Sequence, residues 1–286
     1  MIANQVANQI DFITPHITDG HTLDYPCLKS GFVCDYELPR WNPIHLGGFT
    51  LDVSPTRHVV MLLVAALLCL LTSLLALRAH NRKSTEGKAP SGLGNGFEAL
   101  ILYLRNEVIL PNVGPHGNGY VPFLLTIFFF NLFANMLGLV PYGATATGNI
   151  SVTAMLAIVS FIVIELAGMK AQGKKYINTI IFWPDDMSLG MKLFISPILT
   201  PIEIIGKFTK PFALAIRLFA NMTAGHVVLL ALISLIFTFG SWFLVPVPIL
   251  MGIGISVLEL FVAVLQAFIF TLLSSVFIGL IREGAH

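Results

Sequence analysis

Apolar residues along this chain gather in five long runs, and charged residues are confined almost entirely to the segments between them. Val59–Leu77 is a charge-free run long enough to span a bilayer. Tyr120–Val140 and Ile150–Met169 follow, the latter interrupted only by Glu165. Phe212–Leu244 contains Arg217 and His226 as its only ionisable groups, and Pro248–Ile281 contains only Glu259. With their interfacial flanks, spans are predicted at about 57–78, 119–141, 150–170, 205–244 and 247–282. The last run would be roughly 50 Å long if wholly helical, against a hydrocarbon core of ~30 Å. Ordinary tilt cannot absorb that excess. The pattern therefore predicts an all-α membrane protein of five transmembrane helices, the last two long and steeply tilted as a hairpin that turns at Gly240–Val247.

The polar segments complete the organisation. Phe97–Leu110 has apolar positions at 97, 100, 101, 104 and 108, a helical spacing, with Glu98, Arg105 and Asn106 on the other side. It is too short and too charged to span, so an in-plane amphipathic helix over about 97–110, ended by Pro111, is expected. Ser91–Gly96 reads as a Gly-rich hinge, and Met187–Lys210, punctuated by Pro197 and Pro201, as a helical approach in the interface after a turn begun at Phe182–Asp186. Residues 1–56 show no sustained period and are expected to form an extracytoplasmic segment, leaving 57–286 as the membrane domain. Arg78, Arg82, Lys83 and Lys88 follow the first span, and Lys170, Lys174 and Lys175 the third, whereas residues 141–149 and 240–247 carry no Lys or Arg. The positive-inside rule then puts the N-terminus outside and the C-terminus, after Arg282, in the cytoplasm. A multi-pass protein of a cell inner or other energy-transducing membrane is expected.

Composition agrees: 56% hydrophobic and 11% charged residues in 286 exclude an ordinary soluble domain. A net charge of +1 without a basic run gives no reason to expect a nucleic-acid partner. Residues 1–20 lack the basic and apolar regions of a cleavable leader. Cys69 lies in an apolar run; Cys27 and Cys34, in the N-terminal segment, are either disulfide-bonded outside the cytoplasm or two free thiols. His16, His21 and His45 lack metal-ligand spacing, and Gly92–Gly96 lacks the Lys-Ser/Thr of a phosphate loop, so no metal or other cofactor is expected.

The candidate chemistry lies inside the apolar runs. An arginine near the bilayer centre costs at least ~2.5–3.5 kcal/mol and is rarely kept without a partner or a wet cavity. Arg217 lies two turns deeper than Lys207 and Lys210, which argues against simple snorkelling, and Asn221 shares its face at i+4. His226, nine residues on, points to the other side, which suits two polar environments around Arg217 better than one pocket. Glu259 and Gln266, seven apart, are nearly eclipsed on the last helix. An antiparallel hairpin brings His226 and Glu259 to the same outer half of the membrane, as a proton-transfer pair or as a static hydrogen-bonded pair. Glu203, Lys207 and Lys210 either line an ion exit or anchor the helix, and Glu165 either pairs at the interface or joins an ion path. Asn131 and Asn135, at i and i+4, suggest interhelical hydrogen bonds or else a place in a pore lining. Gly252, Gly254, Ser256, Ala263 and Ala267 keep one flank of the last helix small, for a close partner or for water.

Lys210–His226 (KPFALAIRLFANMTAGH) and Glu259–Phe270 (ELFVAVLQAFIF) resemble subunit a of the F-type ATP synthase membrane sector, strongly over residues 200–282, fairly over 119–170 and weakly before 57. The resemblance implies a proton-conducting stator beside a rotating ring of c subunits that carry intramembrane carboxylates, with peripheral-stalk b subunits and, indirectly, the catalytic head as further partners. ATP chemistry would belong to those partners, so no enzyme activity is expected of this chain. Protons would reach the ring by one half-channel and leave by another, and Arg217 would hold the arriving carboxylate ionised and block a direct leak. Gln266 and Asn221 match the polar neighbours of that arginine. His226 and Glu259 match positions that hold one acid and one imidazole or other polar group, sometimes exchanged, and His226 favours protons over Na⁺. Asn149 stands where many relatives have an acid at the outer entrance, and Ser256 is a further candidate for the channel lining. Two other readings stay open: a stand-alone secondary transporter with its substrate site at Arg217, and a purely structural assembly subunit. No internal repeat of the kind common in transporters is visible.

Overall fold

A computed structural model describes residues 18–27, 32–46, 49–86, 93–140, 143–173, 176–177, 189–239 and 245–283. His16, Lys88, Lys174, Lys175, Phe182–Asp186 and most of the 240–247 turn lie outside the described residues.

The described part of the N-terminal segment holds short strands. Strands β1 (Thr22–Cys27) and β2 (Phe32–Glu37) pair antiparallel with Tyr25 opposite Cys34, and β3 (Ile44–Leu46) pairs with β4 (Phe49–Leu51). Cys34 is disulfide-bonded and Cys69 is free, while the Cys27 side chain lies outside the described residues. Asp52 closes the segment by accepting the Ser54 backbone N–H at 2.9 Å, and the Ser54 hydroxyl in turn accepts the Trp41 N–H.

Helix α1 (Arg57–Glu86) follows, then α2 (Leu93–Tyr103), which passes through a π-helical turn, Leu104–Ile109, into a last α-turn, Leu110–Val113. This is the expected amphipathic element with shifted ends. Gly94 and Gly96 lie inside the helix instead of forming a hinge. Pro111 falls near the start of the final turn, where a missing N–H is tolerated, so the helix outlasts it by two residues. Helices α3 (Val121–Gly138), α4 (Ile150–Gln172), α5 (Leu189–Phe239) and α6 (Pro246–Glu283) complete the chain, with a 3₁₀ turn, Ala146–Gly148, between α3 and α4. Among the described residues five helices are long and apolar enough to cross a membrane: Arg57–Leu75, Gly117–Gly138, Ile150–Gln172, Phe194–Ile236 and Pro246–Glu283. The chain is a multi-pass membrane protein whose last two helices form a long, closely packed hairpin.

The approach expected over 187–210 is part of α5, which continues through Pro197, Pro201 and Pro211 as one 51-residue helix. Each proline removes a hydrogen bond from the helix, a loss that neighbouring helices and small backbone adjustments offset in membrane proteins.

Packing divides the chain into two compact units. The first comprises Met1–Ser73, Phe129–Val152 and Leu218–Gln266; the second comprises Leu74–Phe128, Thr153–Arg217 and Ala267–His286. The second unit has its core where Ile109 and Val113 meet Val121 and Leu124 of α3, Ile164 and Ala167 of α4, and Ile278 of α6. Arg282 closes that core, donating to Val113 O at 2.7 Å and Pro115 O at 2.8 Å with its guanidinium 5.5 Å from the Tyr120 ring centre.

Candidate functional site

In the first unit, α5 and α6 bring His226 and Glu259 together: Nδ1 of the imidazole lies 2.5 Å from Oε1 of the carboxylate, which is almost fully buried. On its other edge, His226 Nε2 lies 3.0 Å from Gly138 O and 2.7 Å from Thr145 Oγ1. A carbonyl only accepts, so Nε2 carries a proton that it donates to Gly138 O. Nδ1 then faces Oε1 across that 2.5 Å, close enough for the two to interact as an ion pair if the ring carries a second proton.

Two glycines make this contact possible. A Cβ at Gly225 would stand 2.9 Å from Glu259 Oε1, and one at Gly138 would stand 1.9 Å from Thr145 Oγ1. Neither residue, nor Thr145, is singled out by charge or spacing. The one available signal was position, Gly225 directly preceding His226 and Gly138 falling at the end of the second apolar run.

Beside the pair, Asn135 donates to Ala263 O at 3.2 Å and accepts from Thr147 Oγ1 at 2.7 Å, both contacts buried. This is the interhelical bonding expected of the two asparagines, but only for one of them. Asn131 is fully buried, and neither its amide nitrogen nor its oxygen has a hydrogen-bond partner among the described residues. Gln266 is buried at the end of the first unit's share of α6. Asn221 is exposed. Ser256 is also exposed and turns its hydroxyl back onto Gly252 O at 2.9 Å, apart from the His226–Glu259 cluster. Asn149 donates to Asp19 Oδ2 at 3.3 Å.

The second unit holds the other candidates. Lys207 Nζ lies 3.3 Å from Glu165 Oε2 and 3.2 Å from the Tyr176 hydroxyl, and sits 4.6 Å from the centre of that ring. Glu165, Glu203, Lys207 and Lys210 all line a cavity of about 100 Å³, closed on its apolar side by Leu214, Phe277 and Ile281. That is room for several water molecules. Lys210, Leu214 and Phe277 also border a wider, more open hollow that reaches Arg217 and Thr209. Arg217 is exposed on α5, inside the apolar span Phe194–Ile236. Of the polar groups expected on this limb, Glu165, Glu203, Lys207, Lys210 and Arg217 therefore share walls of adjoining hollows.

Known proteins of one family resemble this chain over most of its length. The ATP synthase A chain family matches residues 58–279. An ATP synthase subunit a from Chloroherpeton thalassium is 45% identical over 265 residues, covering 93% of this chain and 74% of that protein. An ATP synthase subunit a 2 from Chlorobaculum tepidum is 44% identical over 272 residues, covering 94% and 72%. A subunit a from Anaeromyxobacter dehalogenans is 41% identical over 279 residues, covering 94% and 70%. With most of its length matched by the family and by relatives well above 30% identity, the chain belongs to the ATP synthase A chain family.

Proposed function

We propose that this chain is the proton-conducting stator of an ATP synthase membrane sector, and that it forms two offset half-channels against a ring of c subunits with Arg217 as the barrier between them. The general role, a non-catalytic membrane subunit that takes part in proton translocation, follows from the family. ATP chemistry then belongs to partner chains. The observation that carries the finer reading is the exposure of Arg217 on an outward face of α5 within an apolar span, at the edge of an open hollow. A guanidinium keeps its charge at any accessible pH, so that face favours an approaching carboxylate and repels a proton in transit.

The segment 1–56 and the His226–Glu259 pair are assigned to the outside, on the charge asymmetry of the loops. The 2.5 Å approach of the pair supports a relay toward the ring, with Asn135 and Gln266 as its polar surroundings. The lysine- and glutamate-lined cavity is assigned to the exit, where water can carry the proton to the cytoplasm. Asn221 shares the face of Arg217, and Ser256 stands on the small flank of α6 that a ring would approach. Peripheral-stalk b subunits and the catalytic head complete the assembly. Each proton crossing 100 mV releases ~2.3 kcal/mol, so several are needed per ATP and any leak past Arg217 wastes that energy.

The test is Arg217→Ala in the whole complex reconstituted into liposomes. ATP-driven proton pumping is expected to disappear while the complex still assembles. Pumping at the parent rate in that variant would overturn the barrier assignment.

A further inference from the structure

The N-terminal segment contributes a carboxylate to the same face of the first unit. Asp19 Oδ1 lies 3.0 Å from His58 Nδ1, and Asp19 Oδ2 accepts from the Asn149 amide at 3.3 Å. The His58 side chain is 5% exposed and that of Asp19 30% exposed, so the dyad has one dry end and one wet end. Arg57 donates to Thr18 O and is the cation adjoining the dyad on α1, while His21 is turned onto Pro55 O at 3.2 Å.

Asn149 ends the turn that begins at Thr145, with Gly148 N–H donating to Thr145 O at 2.9 Å and Asn149 N–H to Ala146 O at 3.3 Å. That turn carries three polar side chains, each on a different partner: Thr145 on His226, Thr147 on Asn135, Asn149 on Asp19. At a 3₁₀ rise of ~2 Å per residue, the two ends of the turn are roughly 8 Å apart. The aspartate–histidine dyad and the buried histidine–glutamate pair are therefore joined by one short turn lined with hydroxyls.

We propose that Asp19 is the proton-collecting acid at the outer mouth of the path, sharing its proton with His58, and that it feeds the His226–Glu259 pair through the 145–149 turn. The inference rests on the outer-path reading given above. The step balances with water as the carrier: the Asp19 carboxylate takes a proton from outside water and becomes a carboxylate again when water beside the turn carries that proton inward, since the Asn149 amide only donates to it.

The experiment measures ATP synthesis by the whole reconstituted complex as the pH on the N-terminal side is varied. Asp19→Asn keeps the side chain's size and one of its two accepting oxygens but removes the acid. Its rate is expected to fall about 3- to 10-fold near pH 8, where protons are scarce, and to match the parent near pH 5.5, within the usual range for loss of a positioned acid or base. Asn149→Asp added to that variant returns a carboxylate to the same contact and is expected to restore the alkaline limb. His58→Gln, which leaves Asp19 in place, is expected to lose the same limb. A parent-like pH profile in Asp19→Asn, or a loss equal at every pH that Asn149→Asp does not repair, would overturn the proposal. Should Asp19→Asn fail to assemble, a parent-like profile in His58→Gln would overturn it as well. Glu259→Gln in the same preparation separates the two claims: if it too left the rate unchanged, the outer-path reading itself would fail.

Discussion

The two compact units handle charge in opposite ways. In the first, His226 and Glu259 are gripped between helices, their neighbours are hydroxyls, amides and a backbone carbonyl, and two glycines remove the side chains that would push them apart. In the second, Glu165, Glu203, Lys207 and Lys210 line a cavity with room for water, and Arg217 stands at the edge of an open hollow. The difference teaches where specific chemistry is to be expected. A contact made through one buried carboxylate depends on its own two atoms, whereas water can substitute for a group that lines a cavity with room for it.

The same substitution made on each side exposes that contrast. Glu259→Gln removes the almost fully buried acid that faces His226 Nδ1 among the described residues. Proton uptake through assembled complexes is expected to drop by about 10²-fold, the low end for a lost acid–base group. Glu165→Gln leaves Lys207 with the Tyr176 hydroxyl, its ring and a cavity roomy enough to admit water. Its cost is expected to be on the order of 1 kcal/mol in stability at most, and the change in proton flux under about twofold. Equal losses in the two variants would erase the distinction between a tight and a wet environment.

The smallest effect belongs to the N-terminal segment. The Ser54 hydroxyl and backbone N–H, the largest causes, hold the exposed Asp52 carboxyl below its ordinary range. A depressed carboxylate contributes its stabilisation above the unfolded pKa and loses it as pH falls through the folded value. Protection of the Ser54 amide from hydrogen exchange is therefore expected to persist below about pH 3.9, the ordinary value for aspartate, and to vanish under stronger acid. Loss of protection above that pH would contradict the geometry of the turn.

Sequence reasoning reached the features that the membrane enforces. Five apolar runs, the great length of the last two and the cost of Arg217 all follow from the thickness and polarity of the bilayer, and each is visible in a local window. The pairing of His226 with Glu259 was legible too, because an antiparallel hairpin leaves little freedom in depth. What was not legible depends on distant contacts. Asp19 meets His58 and Asn149 across separations of 39 and 130 residues, and no local pattern reports that. Strands of six and three residues, one interrupted by Pro26, are too short to establish an alternation. The 51-residue α5 was obscured by three prolines that ordinarily mark helix ends. Gly138 and Gly225 matter for what they leave out, which a sequence displays only once the neighbour is known.

The bond from His226 to Gly138 O has a consequence for timing if the pair is the relay proposed above. With one edge of the ring committed, the 2.5 Å gap between the other edge and Glu259 would hold one proton at a time. Such a relay would pass protons in sequence, like a turnstile. Raising the supply outside fills the gap more often, yet it cannot let two through together.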